Sequence, residues 1–498
     1  RDIDGERFRT QTVPDGKQLI SVPTFVSFHP PAYYLVLAHV LEPLRTVSIR
    51  WRLLAGRWLS GVFGVLTVAL SVLLAREIWP HRPDWALLLG TLVAFQPMNA
   101  FTQAVITDDA PLILLFTAVL WLGLRVLRLG MTTGRGVMLG IVVAAGVLVK
   151  MSFMCVLPLL GALMLWRSLR DIRVVTPQMP HTGHRKTRSA QRALGRFFGW
   201  VCVFLLPFAG SSWWYRSALG GGSTSLIQSS FVDKTVDRGK VVRKTLRKAP
   251  YYTGLGWEGT LRKRYEEAPV LAEVAAYVRV LISYWGNFGW GVNVRIPSAL
   301  WILLSLFSIG ITGITVRGLT RRSGQLSTRT EGILATRRQR RALWWLGAAT
   351  SVLLLFYMVV DWRTRAATGG PFGLRGGYYL PAIAGQMAWL LTGTIVVFNR
   401  LQISRVHFAW LLGGAMIVLN FCCLLGVVAP RYYGTGALLP VIERATVLQP
   451  VAPLFLALIC AATVLSSTLL VVALRLEPPV KSLLKSPLLS SPLAANTW

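Results

Sequence analysis

The chain has 498 residues, of which 53% are hydrophobic and 15% charged, with a formal net charge of +33. That balance excludes a disordered or ordinary soluble class and points to a polytopic membrane protein. The positive excess does not point to nucleic acid, because most of the Lys and Arg flank apolar segments, where they anchor helices and meet anionic headgroups.

Residues 1–56 are too broken to span a bilayer, since Pro14, Pro23, Pro30, Pro31 and Pro43 interrupt any helix. They read as a first external loop with interfacial helices, and Pro31 to Leu44 has the length of a helix lying at the interface. Eleven apolar segments follow, of the length that a ~30 Å hydrocarbon core asks of a helix. They cover about 57–76, 85–104, 110–128, 134–149, 151–168, 197–214, 298–316, 342–360, 378–398, 406–429 and 451–474. The expected fold is therefore all-α and polytopic, with eleven transmembrane helices.

The loops fix an orientation. Arg167–Arg196 and Arg317–Arg341 each carry eight Lys/Arg against one acid, which places them in the cytoplasm. Residues 1–56, 105–110, 215–297, 361–377 and 430–450 then fall outside, and they hold fifteen of the twenty acids. Chemistry that needs carboxylates is thus expected on the outer face. The chain begins outside and ends inside after an odd number of spans, so a twelfth helix is expected ahead of Arg1.

Two sets of membrane helices, 57–214 and 298–476, flank a large external loop, 215–297, and residues 477–498 form a cytoplasmic tail. The loop carries thirteen Lys/Arg against six acids. It reads either as a solvated surface or as a site for the phosphates of a lipid-linked substrate. Ala268–Ile282 within it has helical periodicity. The five cysteines, Cys155, Cys202, Cys422, Cys423 and Cys460, all lie in apolar spans and read as packing residues. No His/Cys pair has metal-ligand spacing, and no Gly-rich loop suits a nucleotide, so neither a metal nor a cofactor is expected.

Four external features could carry chemistry. Asp2, Asp4 and Glu6 open the chain, and a carboxylate at a membrane surface can act as a general base for an acceptor hydroxyl. Asp108 and Asp109, in Thr107-Asp108-Asp109-Ala110-Pro111, open a span. One Asp suffices to cap a helix, and a second at a membrane edge adds repulsion and desolvation, so a further role is reasonable. Lys150 lies between two apolar runs, where an ammonium must snorkel or find an anionic partner such as a lipid phosphate. Arg57 holds a similar place at the outer start of the first span. The run Ser283-Tyr284-Trp285-Gly286-Asn287-Phe288-Gly289-Trp290 is either an interfacial belt or, through residues such as Trp285, a surface on which a sugar stacks.

These residues resemble the GT-C superfamily of integral-membrane glycosyltransferases, which includes protein O-mannosyltransferases and aminoarabinose transferases. His29-Pro30-Pro31-Ala32-Tyr33-Tyr34 is similar to the family's [HK]-P-P-L-Y-Y element. Arg57 to Gly64 is similar to its R-x-x-S-x-x-x-G helix start, Thr107 to Ala110 to its [TN]-x-D-A element, and Gly140 to Lys150 to its G-x-x-x-G-L-x-x-L-x-K helix. The later chain is more similar to a bacterial branch of predicted membrane proteins. There Ser283–Trp290 resembles S-F-W-G-x-F-G-W, and Arg375 to Ala382 resembles Q-G-R-Y-L-L-P-A, with Gly377 in place of the expected Arg.

The resemblance implies transfer of a sugar from a polyprenyl-phosphate donor to an acceptor at the outer face of the plasma (inner) membrane. It implies Asp4 as base, Asp2 as second choice, and Asp109 as a second carboxylate. Lys150 and Arg57 would neutralise the donor phosphate, with His29, Tyr33, Asp108, Trp285 and Arg375 as further substrate contacts. The rival readings are a polytopic transporter or flippase, and a non-catalytic envelope protein of the same fold. Acids at membrane edges rather than mid-span favour the enzyme over the transporter.

Overall fold

The computed structural model describes residues 30, 32–175, 280, 283–288, 294–320, 336–368 and 376–433, with scattered positions in 195–210 and 437–443. The described part is an all-α membrane bundle. In chain order the helices are α1 (Ala32–Leu41), α2 (Ile49–Ile78), α3 (Pro83–Phe95), α4 (Pro97–Ala104), α5 (Asp109–Leu129), α6 (Thr133–Val149) and α7 (Val156–Val175). After them come α8 (Ser298–Thr320), α9 (Arg337–Thr368), α10 (Ile383–Arg400), α11 (Arg405–Cys423) and α12 (Ala429–Tyr433). A two-residue antiparallel ribbon, Asn287–Phe288 with Val294–Arg295, precedes α8.

Seven segments of the described residues are long and apolar enough to cross a membrane: 49–78, 109–129, 151–170, 298–320, 337–362, 376–400 and 407–431. The expected span 134–149 is present as the shorter apolar helix α6. The expected span 85–104 is broken into α3 and α4, because Pro97 has no N–H to continue the ladder. Gln96 is extended there, and its side-chain oxygen accepts the Asn99 N–H at 2.5 Å. The Asn99 amide in turn donates to the Val93 carbonyl at 2.8 Å, so side chains replace backbone bonds lost inside an apolar layer. The segment 197–214 is only partly described, and 451–474 lies outside the described residues. The first span also differs from expectation: α2 starts at Ile49, so 49–56 belongs to the helix and not to the loop. Its mixed composition (Arg50, Trp51, Arg52) hid it, yet no breaker follows Ser48.

Small residues let the helices approach. On α2, Gly56, Ser60 and Gly64 form one buried stripe at four-residue spacing. Gly56 meets Ile106 and Leu37, Ser60 meets the Tyr33 hydroxyl at 3.5 Å, and Gly64 lies under Gln103. Elsewhere an indole covers a glycine twice. Trp345 of α9 lies on Gly123 of α5 and donates its Nε1–H to the Leu120 carbonyl at 3.2 Å. Trp389 of α10 lies on Gly347 of α9 and donates to the Leu343 carbonyl at 2.7 Å. Close helix contact and interhelical hydrogen bonds replace the hydrophobic driving force that lipid removes.

Ion pairs gather at the two ends of the bundle. At one end Glu77 of α2 receives Arg128 at 2.8 Å, Arg125 at 3.7 Å and Arg338 at 3.9 Å, joining α2, α5 and α9. At the other end Lys150 meets Asp108 and Asp109. Helix α5 runs between them, and its rise from Asp109 to Arg128 is roughly 28 Å, about one hydrocarbon core. Each ion pair thus joins residues expected on the same side of the membrane. Glu77→Gln would leave three guanidinium groups facing one another without a carboxylate. The expected result is a melting temperature in detergent lower by several degrees, partly recovered by added salt that screens the repulsion.

Candidate active site at the Lys150 end

The site begins with a helix start. Thr107 accepts the Asp109 N–H on its hydroxyl at 3.2 Å, whereas Asp108, in the cap position of α5, makes no capping bond. Thr107 therefore does the work expected of an aspartate, and the two carboxylates turn elsewhere. Capping does not account for Asp108 or Asp109.

Lys150 ends α6 in extended backbone, and its N–H donates to the Gly146 carbonyl at 2.8 Å. A tight turn, Met151–Cys155, then starts the next span. Phe153 of that turn folds back over Gly146, where a β-carbon would run into its ring, and meets Phe116 of α5 edge-on at 6.0 Å. This packing fixes the break in the helix from which the lysine projects. Gly146→Ala is expected to displace Phe153 at a cost of about 1–3 kcal/mol. Loss of transfer activity exceeding the loss of folded protein would show that the lysine had been moved.

The Lys150 side chain is 9% exposed. Its ammonium lies 2.6 Å from Asp109 Oδ1 and 3.4 Å from Asp108 Oδ1. Burial alone would push its pKa down, but the carboxylates of Asp109 and Asp108 outweigh burial and hold it well above the ordinary lysine value. Lys150 is therefore a permanent cation. Two aromatic hydroxyls complete the surroundings. Tyr34 of α1 is raised to about 12, first by burial and then by the Asp108 charge. Tyr357 of α9 is buried and lies within electrostatic range of Lys150 and Asp109. Its ring packs against Tyr378 at 5.1 Å and Tyr379 at 5.8 Å. The site thus draws on α1, α5, the α6–α7 turn, α9 and the start of the 376–400 span.

Of the residues singled out in the sequence, Asp108, Asp109 and Lys150 come together in this cluster. Tyr33 lies beside it: buried, bonded to Ser60, and edge-on to Tyr34 at 5.3 Å. Arg57 does not join it. Its side chain is exposed on the third turn of α2, because that helix starts earlier than expected. Trp285 is 2% exposed and donates its Nε1–H to Ser308 at 3.0 Å, so its ring is packing and offers no open face to a sugar. Asp2, Asp4, His29 and Arg375 lie outside the described residues. Tyr357 escaped the sequence reading, since a Tyr in an apolar span carries no pattern of its own. Tyr34 stood in the quoted Pro-Pro-Ala-Tyr-Tyr element and was the readable signal.

The 283–288 segment docks beside the cluster. Gly376 N–H donates to Ser283 Oγ at 2.6 Å, Gln96 Nε2 donates to the Tyr284 carbonyl at 2.7 Å, and the Tyr284 hydroxyl donates to Gln386 at 2.6 Å. Phe288 meets Phe101 of α4 at 5.4 Å. Burial raises the Tyr284 phenol, which therefore stays neutral and donates.

Residues 29–183 match the family described as dolichyl-phosphate-mannose-protein mannosyltransferase. That stretch contains Tyr33, Tyr34, Asp108, Asp109 and Lys150. It is of GT-C type. The match and the apolar helices support a multi-pass membrane glycosyltransferase, as the ordered motifs led one to expect. No curated protein and no solved structure matches the chain.

Proposed function

We propose that the chain transfers a sugar from a polyprenyl-phosphate donor to an acceptor hydroxyl at the extracytoplasmic face of the plasma (inner) membrane. One observation carries the reading: a buried Asp108–Asp109–Lys150 cluster, at the bundle end opposite the arginine-rich one, inside the stretch that matches the mannosyltransferase family. Neither lipid-facing snorkelling nor capping accounts for it.

In this reading the acceptor oxygen attacks the anomeric carbon as the carbon–oxygen bond to phosphate breaks, and the electron pair leaves with the phosphate. The acceptor proton passes to a carboxylate, Asp4 first and Asp2 second. Asp109, held in place by Lys150, orients the acceptor. Lys150 shares its ammonium with the departing phosphate, an electrostatic role that burial of the ammonium strengthens. The Tyr34 hydroxyl, neutral at working pH, can donate to a sugar or phosphate oxygen.

The test is transfer from donors of defined chemistry. Purified protein in liposomes is expected to use a polyprenyl-phosphate sugar and to ignore the matching nucleotide sugar. Turnover of the nucleotide sugar, or flipping of the lipid with no sugar transfer, would overturn the proposal.

A further inference from the structure

The arginine-rich end holds a second cluster that glycosyl transfer does not use. Trp166, near the end of α7, is flanked by two guanidinium groups, Arg170 at 5.6 Å from the ring centroid and Arg341 of α9 at 5.9 Å. Both Arg170 and Arg337 are close enough to Arg341 to repel it electrostatically. Glu77 cannot relieve them, because Arg125, Arg128 and Arg338 already surround it. Among the residues whose side chains are described, Arg170, Arg337 and Arg341 have no carboxylate within ion-pair distance. Two cations thus bear on a third, Arg341.

The depth of that spot is also informative. Arg170 ends one candidate span and Arg337 begins another, so both lie where hydrocarbon gives way to headgroups. On the same turns Leu165, Leu169 and Trp344 stand 44%, 48% and 44% exposed. Exposed apolar side chains on the turns that carry the guanidinium groups match a molecule with an anionic head and an acyl tail.

We propose that Arg170 and Arg341, which flank Trp166, and Arg337 beside Arg341 bind the phosphate headgroup of an anionic phospholipid of the adjoining leaflet. Guanidinium forks suit phosphate oxygens, and the indole keeps two of the arginines in place between lipids. The lipid would supply negative charge to both helices and tie α7 to α9. This site stands apart from the glycosyl-transfer reading, at the opposite end of the bundle.

The test uses the full chain in nanodiscs of mixed phosphatidylglycerol and phosphatidylcholine, with lipids that stay bound counted by native mass spectrometry after release. Wild type is expected to retain phosphatidylglycerol over phosphatidylcholine by about tenfold, a preference that R170Q/R341Q removes. R170K/R341K is expected to keep most of it, and R400Q, at an exposed arginine on the same side, all of it. The single variant R341Q, at an exposed position, serves where the double variant does not fold and is expected to weaken the preference severalfold. Equal retention of both lipids by wild type, or an unchanged preference in the glutamine variants, would overturn the proposal.

Discussion

Lys150→Met is expected to cut sugar transfer by a hundredfold or more and to destabilise the protein by about 3 kcal/mol. The substitution keeps the volume and removes the charge, leaving Asp108 and Asp109 side by side with no cation. Asp109 is 21% exposed, so water recovers part of that loss, which keeps the figure at the low end for a broken buried pair. Asp109→Asn should cost less stability, because the ammonium retains Asp108 at 3.4 Å. The decisive measurement is the double variant. Lys150 and Asp109 touch, so the cost of changing both should fall short of the sum by about 1–3 kcal/mol. Strict additivity in both melting and turnover would show that the two side chains act independently.

The pH dependence follows from the raised lysine. A cation whose folded pKa lies above its unfolded value contributes stability that is fully present below the unfolded value, near 10.5, and lost only as pH rises through the higher folded one. No alkaline loss of activity or stability attributable to Lys150 is therefore expected below pH 10.5. A descending limb centred near pH 9 that disappears in Lys150→Met would contradict this.

Gly376→Ala is expected to be among the most damaging single-methyl changes in the chain. A β-carbon there would collide with the backbone nitrogen and Cα of Tyr284, not with the end of a flexible side chain. The same glycine donates its N–H to Ser283 Oγ at 2.6 Å, so moving it also breaks a buried hydrogen bond. Together these put the cost at about 3 kcal/mol or more. The neighbour Gly377 offers the control. Its nearest contact is the far end of Met98 at 3.4 Å, and Gly377→Ala should cost little. Proteolysis in detergent would read both, and equal resistance of the two variants would refute the docking of 283–288 on the 376–382 turn.

The sequence exposed Lys150, Asp108 and Asp109 because charge inside an apolar run is costly and so draws notice. It could not show that Thr107 would take over the capping, since Asp is the better cap of the two and stands in the same few residues. Tyr357 was hidden for the opposite reason: in an apolar helix a tyrosine looks like any interfacial aromatic until its partners are known. The motif Arg57–Gly64 was legible as a pattern, but its parts divide in space. Ser60 and Gly64 pack α2 against Tyr33 and Gln103, while Arg57 faces away. The break at Gln96-Pro97 went unread inside the apolar run 85–104, and its consequence depended on amides that only the fold brings to the freed carbonyl.

Helix α5 is pinned at Asp109 to the α6–α7 turn and at Arg128 to the end of α2. An unpinned helix meets a thinner or thicker bilayer by tilting, at small cost. One clamped at both ends must drag its neighbours or deform the lipid instead. Catalytic rate should therefore peak at one acyl-chain length and fall on either side, even where the substrate is held constant.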